Sequence, residues 1–431
     1  MDVSELYEIF KEYPQITTDT RNCIKDSIFF ALKGANFNGN EYAAKAIESG
    51  CRYAVIDEPQ YEDQSKNILL VDDALKMLQS LAAYHRRKFK IPIIGITGTN
   101  GKTTTKELVA AVLSKEFNII YTKGNLNNHI GVPLTLLQIK KEHEIGIIEM
   151  GANHMGEIKF LAEMTDPNYG LITNIGKAHL EGFGSFENIK KEKGELYEYI
   201  KQRKDGKIFL DNDNPILMEM AGDISSINYG QGDKLFVSGK IEANDPYLSF
   251  RWRFSRNFHL VKTHLIGDYN MSNALAAVTI GRYFGVKSKL VCEAIEEYIP
   301  TNNRSQLKKT EKNHLIIDAY NANPTSMMAS LENFSGMNVD NKVLILGDMR
   351  ELGADSMAEH QKVADFIAEQ NFEKIFLIGE NFSKVKTFGK EISFNNLDEF
   401  KQYLSKNPLQ NSYILIKGSR GIELEKSLDL L

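Results

Sequence analysis

The amino-acid sequence predicts an α/β protein made of three domains. Short apolar runs, typical of buried parallel strands, alternate with helical segments from residue 91 to about 300, and a second alternating series starts near residue 315. A smaller α/β unit precedes both series, and 431 residues suffice for two to four domains. We expect a small N-terminal α/β domain over residues 1–82, a central domain over 83–302 and a doubly wound, Rossmann-like C-terminal domain over 303–431.

Apolar patterns predict the strands of the first two domains. In the first, a strand over 27–32 leads through a turn to a helix around 43–47. In the central domain, the runs at 91–96, 145–150, 171–175 and 208–210 are typical of buried parallel strands. Residues 247–254 instead alternate between apolar and polar side chains, which indicates an antiparallel strand with one wet face. The central sheet should therefore be mostly parallel, with an antiparallel extension.

The C-terminal series follows the order of a doubly wound sheet. Strands are predicted at 315–317, 343–346, 375–378 and 413–416. Helices are predicted after Pro324, over 357–369 and at the end of the chain. Strand and helix alternate along most of this segment, which favours a second α/β domain.

Composition and charge argue against several classes of protein. The net charge is -5 and the isoelectric point about 6.1, so the overall field does not favour a nucleic-acid partner. The three cysteines are widely separated, which offers no disulfide framework or CxxC metal site and suits a reducing compartment. No stretch approaches the roughly 18 apolar residues of a membrane helix. We expect a cytoplasmic monomer without membrane insertion.

The segment GITGTNGKTTTKE, over Gly95 to Glu107, is the strongest functional signal in the chain. Its glycines at 98 and 101 let the backbone approach phosphate groups, and the following helix start offers free N–H donors. Lys102 would hold the β- and γ-phosphates of a nucleotide, and the Thr103 hydroxyl would bind Mg²⁺. The loop is shorter than the general GxxxxGKT pattern, because Ile96 stands where that pattern has glycine. Without a ligand, the segment would be a glycine-rich turn between a strand and a helix.

Two further side chains follow neighbouring predicted strands, at the edge where α/β sheets bind ligands. Glu149 lies at the end of the strand IGIIEMG, and His179 follows the next strand within TNIGKAHLEGFGS. Phosphoryl transfer needs cations that neutralise developing charge, so both side chains are candidate Mg²⁺ ligands. A lone histidine after a strand is otherwise more often a hydrogen-bonded turn residue.

Motifs in all three predicted domains resemble the Mur ligases. The segments that carry the resemblance are TTDTR, FFALKGANFNGN, GTNGKTTTKE, GNLNNHIGVP, EMGANHMGEI, TNIGKAHLEGFGS, KKEKGELY, GDYNMSNALAA, DAYNANPTSM, LGDMRELG and KGSRGIELE. The patterns YNANPxSM and LGDMxELG are typical of the dipeptide-adding member of this family rather than its siblings. The short phosphate loop is the family's own form.

The resemblance implies a site for ATP and two Mg²⁺ ions. Thr103 and Glu149 would hold one ion, and His179 would bind the second. Lys193 would carry CO₂ as a carbamate, because an anionic oxygen suits a metal ion whereas an ammonium group is repelled. Without the resemblance, Lys193 on its charged helix would be interpreted as a solvated lysine. The implied nucleotide-binding residues are Gly98, Thr99, Asn100, Gly101, Lys102, Thr103, Thr104, Asn270, Asn273, Arg304 and Asp318.

The sequence allows another interpretation of Asn270 and Asn273, and it departs from the family pattern just before Arg304. Asn270 and Asn273 resemble the family's adenine-side asparagines, but near a helix start they are alternatively capping or exposed polar residues. Arg304 follows Asn303, where the family usually has glycine. Asparagine tolerates the left-handed conformation, so the turn is expected to survive.

The resemblance also implies two peptide-bearing substrates. D-alanyl-D-alanine would meet Asn321, Asn323, Lys417, Ser419 and Arg420, whose planar guanidinium suits a carboxylate. UDP-MurNAc-tripeptide would meet Thr18, Asp19, Arg21, Asn38, Asn127 and Asn128. For the first four of these donor-side residues, ordinary turn chemistry explains the sequence nearly as well.

The implied function is ATP-dependent amide formation in peptidoglycan precursor synthesis. The tripeptide carboxylate would attack the γ-phosphorus to give an acyl phosphate, and the dipeptide amine would displace phosphate. A sibling ligase and a folylpolyglutamate-synthetase-like enzyme are the nearest alternatives, and DAYNANPTSM and KGSRGIELE argue against both. A silent UDP-sugar-binding protein is a third, which would have no use for two metal sites. Diaminopimelate and lysine both stay open as the third residue of the tripeptide.

Overall fold

The computed structural model of the protein describes residues 1–301 and 303–431, and it contains three main sheets. Asn302, at which the predicted central domain ends, lies outside the described residues. Within those ranges, no helix combines the length and the apolar character that crossing a bilayer requires. The three sheets follow one another along the chain without exchanging strands.

The first unit is a small α/β layer. Its elements are α1 (Val3–Glu12), β1 (Ile16–Thr17), β2 (Ile28–Phe30), β3 (Lys33–Gly34), β4 (Phe37–Asn38), α2 (Ala43–Glu48), β5 (Tyr53–Ile56), β6 (Ile68–Leu70) and α3 (Ala74–Arg86). The main sheet has the order β1-β2-β5-β6 and is parallel throughout, while β3 and β4 form a separate antiparallel hairpin. Leu6 and Phe10 of α1 are buried in the same core as Leu78 and Leu81 of α3, which fixes both helices on the sheet.

The second unit is a nine-stranded sheet. Its strands are β7 (Ile93–Thr97), β8 (Ile119–Tyr121), β9 (Ile145–Glu149), β10 (Tyr169–Ile172), β11 (Lys207–Asp211), β12 (Ser226–Gly230), β13 (Val237–Asn244), β14 (Tyr247–Phe254) and β15 (Asn257–Ile266). Its helices are α4 (Lys102–Leu113), α5 (Gly131–Leu136), α6 (Glu157–Thr165), α7 (Leu180–Phe183), α8 (Phe186–Lys201), α9 (Pro215–Ala221), α10 (Asn270–Tyr283) and α11 (Ser288–Glu297). The order is β15-β14-β13-β12-β11-β10-β7-β9-β8.

The direction of the strands divides the central sheet into two parts. The strands from β8 across to β13 are parallel, and β13, β14 and β15 then pair antiparallel. Strand β7 lies between β9 and β10, so the three carboxyl ends come together at one edge. The phosphate loop, Glu149 and the segment that carries His179 all follow from these three strands.

The third unit is a six-stranded sheet. Its elements are β16 (Gln306–Lys309), β17 (His314–Asp318), α12 (Pro324–Gly336), β18 (Lys342–Gly347), α13 (Ser356–Ala368), β19 (Lys374–Ile378), β20 (Glu391–Phe394), α14 (Leu397–Lys406) and β21 (Tyr413–Lys417). The order is β16-β17-β21-β18-β19-β20, parallel except for the β16–β17 pair. Asp318 and Lys417 are paired at the ends of β17 and β21, which brings two opposite charges to the ligand-binding edge.

The predicted fold class is confirmed, including the antiparallel extension of the central sheet. Leu248, Phe250 and Trp252 of β14 are fully buried on one face, as the alternating pattern predicts. The predicted closing helix is present as a 3-10 helix over Leu424–Leu430, preceded by Glu423 in a left-handed conformation with a φ of 59°.

We expect Trp252→Ala to lower the free energy of unfolding by about 3–5 kcal/mol, because it leaves a large cavity between β14 and the helices behind it. Phe258→Ala on the neighbouring strand is the matched control, because that ring is 62% exposed and its loss should cost about 0.5 kcal/mol or less. Urea unfolding followed by circular dichroism measures both. Equal losses in the two variants would contradict the assignment of the core face.

Candidate active site

The phosphate loop is held by the chain segment that follows β10. The Thr99 N–H donates to the Asn174 carbonyl at 2.9 Å, and the Asn100 N–H donates to the Asn174 side-chain oxygen at 3.0 Å. The Thr173 hydroxyl donates to the Asn100 carbonyl at 2.6 Å. Because these bonds come from the neighbouring strand end, the loop is fixed to the sheet and not only to its own helix.

Two glycines allow this close packing. Gly98 has a φ of 134°, and a Cβ there would lie 2.1 Å from the Thr173 Oγ1. Gly101 has a φ of 78°, and a Cβ there would lie 2.6 Å from the Asn273 Oδ1. At each position a side chain is therefore excluded both by the left-handed backbone and by the lack of space. The sequence-based interpretation of both glycines as close-approach residues agrees with this geometry.

Two asparagines of α10 lie beneath the loop. The Asn273 Oδ1 accepts from the Thr105 hydroxyl at 3.0 Å, and its Nδ2 donates to the Asn270 Oδ1 at 2.9 Å. Both asparagines are buried, and Tyr269 at the helix N-cap makes no side-chain capping bond. The alternative interpretation of Asn270 and Asn273 as capping or exposed residues is therefore wrong, because the packing of α10 against α4 encloses them.

Lys102 is directed back over its own loop. Its Nζ donates to the carbonyls of Gly98 at 2.8 Å and of Thr99 at 2.9 Å. Burial lowers the pKa of Lys102 to about 8, while the charge of Glu149 acts in the opposite direction. The side chain is still mostly protonated at neutral pH, so it places a positive charge at the loop.

Glu149, at the end of β9, is a fully buried carboxylate with one free oxygen. Its Oε1 accepts from the Thr103 hydroxyl at 3.1 Å and from the Asn127 side-chain amide at 2.7 Å. Among the described residues, its Oε2 has no hydrogen-bond partner, and the Lys106 Nζ lies 3.7 Å away. A buried carboxylate with an unused oxygen beside a threonine hydroxyl fits the oxygen ligands that Mg²⁺ prefers.

Sequence reasoning missed Lys106, which is completely buried. Its Nζ lies 2.9 Å from the Glu107 Oε1 and donates to the Gly124 carbonyl at 3.2 Å. Lys106 stands three residues before Val109, on the apolar face of α4. That helical spacing is the signal that would have predicted its burial.

Lys193 is also buried, with 3% of its surface exposed. Its Nζ donates to the Ala152 carbonyl at 3.1 Å and lies 5.0 Å from the centre of the Phe183 ring. Burial, assisted by the positive charge of Lys102, lowers the pKa of Lys193 to about 7. The alternative of a solvated lysine is therefore wrong, and a substantial fraction of this side chain is a neutral amine at neutral pH.

His179 has a left-handed backbone, with a φ of 50°, just before α7. Its Nδ1 contacts the carboxylate of Glu351, a residue of the third unit. The His179 ring holds the pKa of Glu351 below its usual range, chiefly through this contact. Glu351 was not identified from the sequence, although it lies within the quoted LGDMRELG segment.

The third unit contributes charged groups at the ends of β17 and β21. The buried Lys417 ammonium forms an ion pair with Asp318, whose Oδ2 also accepts from the Ser330 hydroxyl at 3.1 Å. The Arg304 guanidinium lies 3.8 Å from the centre of the Tyr320 ring, and cation–π attraction holds it there. Tyr320 is a further wall residue that sequence reasoning missed.

The central and third units meet across one cavity of about 600 Å³. The Asn323 Nδ2 donates to the Asn100 Oδ1 at 2.8 Å, and the Asn100 Nδ2 donates back at 3.4 Å. The predicted site residues that line this cavity are Thr99, Asn100, Gly101, Lys102, Thr103, Thr104, Asn127, Asn128, Glu149, His179, Asn270, Asn273, Arg304, Asp318, Asn321, Asn323 and Lys417. The structure thus brings together loop, strand-end and third-unit residues that lie far apart in the sequence.

Four predicted residues of the two larger units do not line this cavity. Gly98 packs against Thr173 beneath the loop, and the Lys193 Nζ donates to the Ala152 carbonyl outside the cavity lining. The Ser419 hydroxyl accepts from the Arg350 N–H at 2.9 Å and donates to the Ala322 carbonyl at 3.3 Å. Arg420 is exposed, with its guanidinium 5.5 Å from the centre of the Tyr320 ring.

The predicted residues of the first unit lie outside the main cavity. The Asp19 carboxylate accepts from the backbone and side chain of Arg21, which lowers the pKa of Asp19 to about 2, and Thr18 adjoins this turn. Asn38 borders a separate cavity of about 490 Å³ beside Phe37, an exposed aromatic ring. Its side-chain amide donates to the Glu58 carboxylate at 3.2 Å.

The described residues contain no group of three or more His, Cys, Asp or Glu side chains that could enclose a metal ion. A cation here would be held by Thr103 and Glu149 from the protein, with nucleotide phosphates and water supplying the rest. This arrangement is typical of Mg²⁺, which keeps several waters and binds through one or two carboxylates.

Fold and site define an α/β protein with a loop of the phosphate-binding type, over which a second α/β unit lies. Three family models match the chain: "Mur ligase family, catalytic domain" over residues 12–86, "Mur ligase middle domain" over 96–281 and "Mur ligase, glutamate ligase domain" over 303–420. The chain therefore belongs to the Mur ligase family. Its members form carbon–nitrogen bonds with ATP, so the protein is an ATP-dependent ligase.

Individual relatives match over nearly the whole chain. A UDP-N-acetylmuramoyl-tripeptide–D-alanyl-D-alanine ligase from Bacillus subtilis is 33% identical over 423 residues, which cover 95% of this chain and 91% of the relative. The enzyme with the same name from Haemophilus influenzae is 32% identical over 426 residues, covering 95% and 92%. A crystal structure of MurF from Acinetobacter baumannii superposes with a TM-score of 0.87 at 31% identity, covering 96% of this chain and 93% of that one.

We predict that Gly98→Ala abolishes measurable nucleotide binding, because the added Cβ would overlap the Thr173 hydroxyl and displace the loop. Gly285→Ala is the matched control: its φ of 95° is also left-handed, but a Cβ there meets nothing within 4 Å. Calorimetric titration with ADP and Mg²⁺ compares the two. Normal ADP affinity in Gly98→Ala would contradict the loop assignment.

Proposed function

We propose that the protein joins D-alanyl-D-alanine to UDP-MurNAc-tripeptide, forming UDP-MurNAc-pentapeptide for peptidoglycan synthesis. The observation that carries this proposal is the reciprocal amide contact between Asn100 of the phosphate loop and Asn323 of the DAYNANPTSM segment. It places the segment typical of dipeptide-adding enzymes directly beside the loop that would hold the γ-phosphate. The two sequence relatives are named for the same pair of substrates, which supports the proposal.

The same geometry weighs against the alternative functions. The sequence of this segment, DAYNANPTSM, is typical of dipeptide-adding enzymes and argues against a sibling ligase or a folylpolyglutamate-synthetase-like enzyme. A silent UDP-sugar-binding protein has no need for a buried carboxylate with a free oxygen or for a buried lysine whose pKa falls to about 7. Such groups cost stability, and they cluster at catalytic sites.

The first chemical step is activation of the tripeptide carboxylate. One carboxylate oxygen attacks the γ-phosphorus of ATP, the bond to the β,γ-bridging oxygen breaks, and ADP leaves behind an acyl phosphate. The Lys102 ammonium exchanges its two loop carbonyls for phosphate oxygens and neutralises their charge. The free N–H groups at the start of α4 add donors for the same phosphates.

Mg²⁺ would neutralise phosphate charge when it is bound. In this proposal, Thr103 and Glu149 hold one ion, and His179 holds a second together with a carbamate on Lys193. The Lys193 amine adds to CO₂ and releases a proton, so the side chain changes from a potential cation to an anionic oxygen ligand. Its depressed pKa supports this step, because only the neutral amine reacts with CO₂.

The second step is displacement of phosphate by the dipeptide amine. The amine nitrogen attacks the acyl carbon, the acyl–oxygen bond breaks, and inorganic phosphate and a proton leave. The third unit covers the phosphate loop through Asn323, so it shields the acyl phosphate from water. Asn321, Lys417, Ser419 and Arg420 are the proposed dipeptide contacts on this side.

The donor nucleotide-sugar is proposed to bind the first domain and the neighbouring wall of the cavity. The separate cavity beside Asn38 and Phe37 supports this, because it offers an exposed aromatic ring and polar groups near each other. Thr18, Asp19 and Arg21 are proposed contacts on the same domain, and Asn127 and Asn128 are proposed contacts in the main cavity. Domain boundaries at 82/83 and 302/303 are part of the same proposal.

We also propose that the protein works as a monomer in the cytoplasm. Its cysteines at 23, 51 and 292 are unpaired in the described structure, which suits a reducing compartment. The reaction uses ATP, which is most abundant there. Light scattering of the purified protein tests the oligomeric state directly.

A pH and CO₂ dependence follows from the buried Lys193. Below a pH of about 7 this side chain becomes mainly protonated and cannot take up CO₂, so activity should fall as the pH decreases through that value. Above that pH, Lys193→Ala should reduce kcat at least tenfold, with partial recovery in millimolar acetate or formate, and the difference from the unchanged protein should shrink at lower pH. Lys191→Ala, an exposed position on the same helix, is the control and should behave as the unchanged protein. A full rate for Lys193→Ala in CO₂-depleted buffer would disprove the carbamate.

The acceptor specificity follows from a carboxylate site on the third unit. A dipeptide whose carboxylate pairs with Arg420 should react much faster than single D-alanine. Single D-alanine cannot place its carboxylate at Arg420 and its amine at the acyl carbon at the same time. Arg420 is exposed in the free protein, so this preference requires that the closed cleft buries the pair. Loss of a buried charge-assisted pair costs about 2–5 kcal/mol, which is roughly 30-fold to several thousand-fold in rate. ADP release with UDP-MurNAc-tripeptide and D-alanyl-D-alanine, D-alanine, D-glutamate or lysine measures the preference. Similar rates with a single amino acid would favour a sibling ligase.

A further inference from the structure

The segment after β10 contacts a turn of the third unit that the proposed chemistry does not use. The Glu351 carboxylate contacts the His179 Nδ1, and the Glu181 N–H donates to the Glu351 carbonyl at 3.2 Å. A Cβ on Gly353 would lie 3.6 Å from the Glu181 Cα, so the two backbones approach each other closely. The contact is therefore made by two backbone segments as well as by two side chains.

Both members of the His179–Glu351 pair have a strained backbone. His179 has a φ of 50° and Glu351 a φ of 64°, although neither is glycine. Left-handed conformations of such residues cost free energy and persist where surrounding contacts hold them. Here both strained residues direct their side chains at each other across the boundary between the central and third units.

The pair contributes little as an ion pair. The Glu351 side chain is 52% exposed and the His179 side chain 26% exposed, and pairs in such surroundings are worth little in stability. Neighbouring contacts already join the units, because the Lys177 ammonium pairs with Glu359 at 2.8 Å and the Lys177 N–H donates to the Thr325 hydroxyl at 3.0 Å. These contacts already hold the third unit against the central unit. The contact between Glu351 and the His179 ring is therefore not needed to attach one unit to the other.

We propose that Glu351 is a positioning residue that orients His179 as a metal ligand when the third unit lies over the cavity. A carboxylate at Nδ1 favours the tautomer with the proton on that nitrogen, which leaves the Nε2 lone pair for a cation. The inference rests on the proposed role of His179 in the ligase reaction. It adds that the third unit completes the second metal site through a residue of the LGDMRELG segment.

The proposal predicts two measurable effects with Mn²⁺ as the probe. In the complete protein with Mn²⁺ and a non-hydrolysable ATP analogue, electron spin echo spectra should show ¹⁴N coupling from a bound imidazole. Glu351→Ala should remove this coupling and weaken the second Mn²⁺ by about 10- to 100-fold. Glu351→Gln, which keeps an acceptor oxygen, should give an intermediate result.

Glu359→Ala is the matched control, because it removes a neighbouring contact between the same units without touching His179. Retained coupling and affinity in Glu359→Ala, together with their loss in Glu351→Ala, support the proposal. Equal losses in both variants, unchanged binding in Glu351→Ala, or no ¹⁴N coupling in the unchanged protein would each overturn it. The experiment contains no dipeptide, so a failure of the proposed acceptor specificity would not affect its outcome.

Discussion

The site depends on the close packing of the phosphate loop between a strand end and a helix. Gly98 lies against Thr173, and Gly101 lies against Asn273, at distances that exclude any side chain. This contact fixes the direction in which α4 begins, and with it the positions of Lys102 and Thr103. Glu149 on the adjacent strand then accepts a hydrogen bond from the Thr103 hydroxyl.

The electrostatics of the site follow from this packing. The Lys106 Nζ lies 3.7 Å from the Glu149 carboxylate, the charge of Glu149 acts on Lys102, and the charge of Lys102 acts on Lys193. Burial depresses the pKa values of Lys102 and Lys193. A buried carboxylate alone would be costly, and buried ammonium groups are also costly. An anionic polyphosphate with Mg²⁺ supplies compensating charges of both signs, so the free protein is prepared for that ligand.

The third unit adds further charged and polar side chains to the cavity. Asp318 and Lys417 are placed by two adjacent parallel strands, and Asn323 is held at the start of α12 by a capping box with Ser326. The cavity is therefore lined on both sides by the ends of strands and helices together with the loops that follow them. This construction brings together residues that come from distant parts of the sequence.

Much of this arrangement could be predicted from the sequence. Apolar runs predicted the strands β7, β9, β10, β17 and β21 around the site, but not shorter or outer strands such as β8, β12 and β16. Glu149 was expected at a ligand-binding edge because its strand ends there. The burial of Lys193 was missed because its helix is rich in charge, although Ile189, Lys193, Leu196 and Ile200 lie at helical spacing on one face.

Other features had no local signal. Glu351 reaches His179 only because the third unit lies over the central one and because the Glu351 backbone is left-handed. The 3-10 form of the final helix had no signal in the sequence. Local sequence thus predicted the strands around the site and the loop, whereas contacts between units required the structure.

The central claim is that the phosphate loop and the third unit act together through Asn100 and Asn323. A double-mutant cycle with Asn100→Ala, Asn323→Ala and the combined variant, measured as kcat/KM for ATP, tests it most directly. The account predicts that the two effects are coupled by about 1 kcal/mol or more, because each substitution removes the same contact. Additive effects, within about 0.3 kcal/mol, would show that the two units act independently and would contradict the account.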